Sequence, residues 1–91
     1  MTTPRVTVHV SSHVRSYTND RSAVEAAGRT LAELVADLER QYPGLRFRVI
    51  DEQDRIRPHM NFFVSGELTR DLAHPIPPGA EVHILGALSG G

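Results

Sequence analysis

An apolar alternation at the start of the chain, one strongly capped amphipathic helix near its middle and a β-branched run close to its end predict an α+β fold. The expected architecture is a mixed sheet of four to five strands packed against one main helix. Each element has its own local reason.

Val6, Val8 and Val10 alternate with Thr7 and His9, the period of two that marks a half-buried strand. Ser11 to Arg21 is polar, with Asn19-Asp20 as its turn, and Val24 and Ala26 then form a second strand that pairs back on the first and stops at Gly28. Thr30 opens a Thr-x-x-Glu capping box, its hydroxyl accepting from the Glu33 amide while Glu33 reaches back to the Thr30 amide. Leu31, Leu34, Val35, Leu38 and Tyr42 fall on one stripe of the helix that follows, and Pro43-Gly44 stops it. A lone helix of this length is marginal in water, so its apolar face must pack on the sheet.

Residues 45–59 read two ways. Leu45, Phe47 and Val49 alternate like a strand, yet the segment equally fits a short helix followed by a loop. Asn61-Phe62-Phe63-Val64 is a strand, Ser65-Gly66 a tight turn into Leu68, and Pro75, Pro77, Pro78 and Gly79 a stiff turn that delivers the last strand, Val82 to Leu85. The order is strand, strand, helix, strand, short return, strand. With the first and last strands central and parallel, joined by a helix-containing crossover, it describes a β-grasp, the ubiquitin-like fold. Residues 1–91 are expected to form a single domain, with 87–91 as a flexible tail ending in two glycines.

Composition narrows the function. A chain of 91 residues buries roughly 60–70% of its unfolded surface, enough for one small core. There is no cysteine, which excludes disulfides, thiolate metal sites and a cysteine nucleophile in this chain. Net charge is −1 with the signs interspersed, giving no footprint for nucleic acid or an anionic membrane. No stretch matches a signal peptide or a membrane span, so a cytoplasmic protein, monomeric when free, is expected. All ten basic side chains are arginine. The chain therefore offers no lysine to acylate, leaving its N-terminal amine as the one amine a second copy would present.

The closing run Leu88-Ser89-Gly90-Gly91 follows within a few residues of a core strand. Two glycines without Cβ can thread a channel too narrow for side chains, and they leave the Gly91 carboxyl carbon unhindered. A carboxylate is inert until its oxygen becomes a leaving group, as adenylation makes it. No motif in the chain binds ATP, so a partner must supply that step.

Three segments together resemble the ThiS/MoaD family of ubiquitin-like sulfur carriers: Asn61-Phe62-Phe63-Val64-Ser65-Gly66-Glu67, the turn Pro78-Gly79-Ala80-Glu81-Val82, and the terminal Leu88-Ser89-Gly90-Gly91. The Arg55-Ile56-Arg57 lead into the third strand is most similar to the CysO-like and stand-alone MoaD-like members. Ser65, Ala80 and Gly86-Ala87 depart from residues frequent in the family and leave the pathway open. The resemblance implies that an E1-like enzyme adenylates Gly91 and that a sulfur donor displaces AMP to give a C-terminal thiocarboxylate. Gly91 is then the covalent sulfur-carrying terminus, and Gly90, Ser89 and Leu88 pass through the partner's channel. The chain itself would be no enzyme and would bind no cofactor; ATP and the sulfur donor belong to the activating partner. The sulfur acceptor would be a PLP-dependent cysteine synthase-like enzyme, a molybdopterin synthase large subunit-like protein, or a thiazole or secondary-metabolite synthase. Two other readings use the same chain: a ubiquitin-like modifier conjugated through Gly91, and a non-covalent β-grasp interaction module.

If Val82 and Ile84 point inward, His83 and Leu85 point outward, and Phe63 does likewise if Phe62 and Val64 are internal. Phe63, His83 and Leu85 are the expected partner interface. The segment 45–59 covering Phe63 is the competing arrangement. His9 and His13 have the spacing of one strand face, but no acidic residue stands with any of the five histidines in a ligand motif, so no metal site is expected. Arg46, Arg48, Arg55 and Arg57 around Asp51, Glu52 and Asp54 read as a solvated mixed-charge surface.

Overall fold

The structure, a computed structural model, describes residues 5–86. The chain runs β1 (Arg5–Val10), α1 (Ser12–Arg15), β2 (Ala23–Ala27), α2 (Leu31–Gln41), α3 (Leu45–Val49), β3 (Met60–Val64), β4 (Glu67–Thr69) and β5 (Glu81–Gly86). The strands form one sheet in the order β2-β1-β5-β3-β4. β1 and β5 are parallel and paired from Thr7↔Glu81 to Val10↔Ile84, while every other pairing is antiparallel. This is the expected β-grasp.

Alternation decides which face is dry. Val6, Val8, Val10, Val24, Ala26, Phe62, Val64, Val82 and Ile84 are all buried, and so are Leu31, Leu34, Val35 and Leu38 of α2. Thr30 caps α2 by accepting from the Glu33 amide at 3.3 Å. The reciprocal bond differs from expectation: Glu33 Oε1 accepts from the Arg29 amide at 3.0 Å, one residue further back. Backbone bonds from Leu31 N to His74 O and from Ile76 N to Arg29 O clamp this stretch to the 74–76 segment and leave the Arg29 amide facing the first turn. At Gly28 the chain passes so close to α2 that a Cβ would sit 2.4 Å from the Leu34 nitrogen.

The polar stretch after β1 contains the Asn19-Asp20 turn, with φ of 55° and 63°. It also contains α1, a single turn too short to show periodicity, whose Val14 is fully buried. His13 therefore lies in a helix and shares no strand face with His9. The 45–59 segment resolves as the short helix α3 and a loop closed by an Ile50↔Ile56 bridge. Leu45 and Val49, four apart, are buried, and Phe47 is 59% exposed. Ser65 and Gly66, with φ of 51° and 83°, make the tight β3–β4 turn.

Candidate functional site

Leu88, Ser89, Gly90 and Gly91 lie outside the described residues; their root does not. Gly86 ends β5 in register with Met60 of β3, and its amide donates to Ser11 Oγ at 3.0 Å. The Ser11 amide in turn donates to the Ile84 carbonyl at 3.0 Å. The end of a central strand is thus fastened on one side by β3 and on the other by the residue that opens α1. Sequence reading missed Ser11, since nothing local in the chain signals a bond across 75 residues.

The outward alternation places Phe63, His83 and Leu85 on the open face of the sheet. Phe63 is paired in register with His83 on one side and with Leu68 on the other, while Leu85 stands opposite Asn61. His83 continues the row to His9, and His9 to Ala23, so Ala23, His9, His83, Phe63 and Leu68 form one line across all five strands. Leu85 is 39% and Leu68 55% exposed, whereas Phe63 and His83 are half-buried. Phe63 is less open than the sequence implies because it has a strand on each side. Leu68, on the edge strand β4, completes the apolar part of the line. Its alternation from Thr69, which is buried, was the available signal.

The polar part of the line is compact. The His9 and His83 rings stack with centroids 4.5 Å apart and an interplanar angle of 16°. Glu81 Oε2 lies 3.9 Å from His9 Nε2. An acidic group is therefore placed with two histidines, although linear spacing hid it, because β1 and β5 meet only through the crossover. In the mixed-charge surface Arg46 and Asp54 pair at 2.7 Å, while Arg48 departs from the solvated reading, its Nε being buried without a hydrogen-bond partner. There the Arg55 amide, followed by the Gln53 amide, holds the Asp51 carboxyl below its ordinary pKa despite the opposing effect of desolvation. A row of half-exposed apolar groups beside a firmly held strand end suits docking and presentation of a terminus.

The ThiS family model matches residues 8–91. The sulfur carrier protein CysO of Mycobacterium tuberculosis is 35% identical over 91 residues, spanning 94% of this chain and 98% of the relative. Its crystal structure superposes with a TM-score of 0.85 at 33% identity, over 91% of this chain and 99% of that one. A chain of the Amycolatopsis orientalis BexX/CysO complex gives 0.88 at 30% identity, over 94% and 99%. The small archaeal modifier protein 1 of Methanosarcina acetivorans gives 0.82 at 19% identity with full coverage of both chains, a likeness of fold alone. Matched along nearly its whole length by family model and relatives alike, the chain belongs to the ThiS family.

Proposed function

We propose that this protein is a sulfur carrier whose working group is the Gly91 carboxylate. The reading rests on kinship with carriers that span the same length and, within the fold, on one observation: the central strand β5 is fastened through Gly86, five residues before Gly91 in the sequence. Fully extended, five residues reach at most about 17 Å, enough to pass a terminus from the rim of a docked partner into its nucleotide site.

An E1-like partner transfers AMP from ATP to a Gly91 oxygen, with pyrophosphate leaving. A sulfide-level donor then attacks the acyl carbon, AMP departs with the oxygen, and a thiocarboxylate remains. With a persulfide donor the first product is an acyl disulfide, which a thiol cleaves to the same thiocarboxylate. The thiocarboxylate is anionic at neutral pH and attacks an electrophile without a neighbouring base; hydrolysis of the product restores the carboxylate. Chemistry resides in the partners, and the chain is their co-substrate. Phe63, Leu85, His83 and Leu68 give those partners a surface to grip, and a second, sulfur-accepting enzyme uses the same face in turn. The working place of this cycle is the cytoplasm; no helix among the described residues is long and apolar enough to cross a membrane.

Intact-mass spectrometry of the protein incubated with ATP, sulfide and the E1-like enzyme of its host tests the proposal. A gain of about 16 Da, oxygen replaced by sulfur at the acyl carbon, is expected on the full chain and none on a chain lacking Gly90-Gly91. No gain, with the enzyme active on another carrier, overturns it; a covalent adduct to a protein lysine instead identifies a modifier.

A further inference from the structure

The cross-strand histidine pair carries chemistry that the carrier cycle does not use. We propose that His9, Glu81 and His83 form a binding site for one divalent transition metal, with Zn²⁺ as its type ion. Two imidazoles and a carboxylate are a donor set that zinc accepts with a coordination position left open. One ligand atom from each residue can be chosen so that all three lie within 4.8 Å of one another. Ligands at about 2.0–2.1 Å in a tetrahedral arrangement stand roughly 3.4 Å apart. The observed His9–Glu81 separation of 3.9 Å is close to that value. The remaining contraction, at most about 1.4 Å from the 4.8 Å bound to the tetrahedral spacing, is within reach of χ rotations of side chains on an open face.

The backbone beneath these side chains is hydrogen-bonded to a neighbouring strand on each side. His9 and His83 are register partners on the two central strands, and Glu81 lies two residues before His83 on the same face. Behind them Val8, Val10, Val82 and Ile84 are buried, so neither strand can shift without opening the core. Stacking at 4.5 Å holds the two rings side by side, and a turn out of the near-parallel stack brings a nitrogen of each towards one ion. Among the described residues the other histidine and carboxylate within 4 Å of each other, His74 and Glu67 at 3.8 Å, offer two donors. They serve as an internal control.

The experiment is a competition titration of the full chain with Zn²⁺ alone against a chromophoric chelator, in a buffer that does not coordinate metal. One ion per chain is expected. His9→Ala and His83→Ala are each expected to weaken binding by about tenfold or more, the equivalent of 1.4 kcal/mol, and Glu81→Gln by about threefold. His74→Ala should change nothing, and His9→Gln, which keeps a polar side chain of similar length, guards against a folding artefact. In parallel, ¹⁵N NMR should show the ring nitrogens of His9 and His83 shifting on zinc addition while those of His74 stay in place. No binding by the wild-type chain at about 1 mM Zn²⁺ overturns the site, as does an affinity that survives both His9→Ala and His83→Ala within about twofold. Neither outcome depends on the Gly91 chemistry.

Discussion

Two residues show how much rests on single atoms. Gly28 is required for proximity alone: its side-chain direction points into the Glu33–Leu34 backbone, and a Cβ would lie 2.4 Å from one nitrogen and 2.8 Å from the carbons beside it. Backbone cannot swing aside as a flexible side chain can, so α2 would have to move off β2. Gly28→Ala is expected to destabilise the fold by about 2 kcal/mol or more, read from the urea midpoint at unchanged m-value. Ser11 acts at the other end. Ser11→Ala removes the acceptor of the Gly86 amide and is expected to cost about 1 kcal/mol. Its stronger signature is faster amide exchange at Gly86, with exchange at Val82 unchanged. The capping box was legible from Thr30 and Glu33, because its logic is local. That Glu33 reaches Arg29 was not, because the clamp on Arg29 comes from residues 74–76, far along the chain.

Among the elements, the long periodic ones were legible and the short ones were ambiguous for a definite reason. In Leu45–Val49, alternation and a single helical turn make the same demand on Leu45 and Val49, so only Phe47 tells them apart. Its exposure was not visible in sequence. What settles the helix is Glu39, whose carboxylate accepts from the Arg46 amide at 2.9 Å and the Gly44 amide at 3.1 Å, capping α3 from the last turns of α2. The Arg46 amide first, then that of Gly44, holds the Glu39 carboxyl below its ordinary pKa, outweighing a smaller opposing effect of desolvation. The sign of the pH dependence follows. A carboxyl depressed in the folded state contributes its stability above the unfolded carboxylate pKa and loses it as pH falls through the depressed folded value. Glu39→Ala is expected to lower stability near neutrality by about 1 kcal/mol, the worth of a helix cap, and to leave a shallower loss of stability on acidification than the wild type shows. Thermal melts from pH 7 down to about pH 3 measure both.

For the whole molecule, fold and chemistry separate along the chain. The sheet order was legible because β-grasp topology follows from a few connection lengths and one crossover, and the core from periodicity. The open face was legible in phase, through Phe63, His83 and Leu85. Its composition as a row was not, because Leu68, Phe63, His83 and His9 come from four strands whose register appears only in three dimensions. This separation makes a double prediction. Among the described residues every buried core residue lies at or before Ile84, and the last strand is pinned at Gly86. Removing Gly90-Gly91 should therefore leave the melting temperature within about 1 °C of the full chain, as expected for a change outside the core, while abolishing the mass gain. Phe63→Asp should do something different. It places a charge between His83 and Leu68 on the proposed docking face, leaving the terminus intact. With the activating enzyme subsaturated, thiocarboxylate formation should slow by about tenfold or more through KM, equivalent to the loss of one interface anchor of 1.4 kcal/mol, with little change in the single-turnover rate at saturation. If Phe63→Asp left KM untouched, the partner would grip the tail alone, and the open face, His83 included, would be free for the metal site.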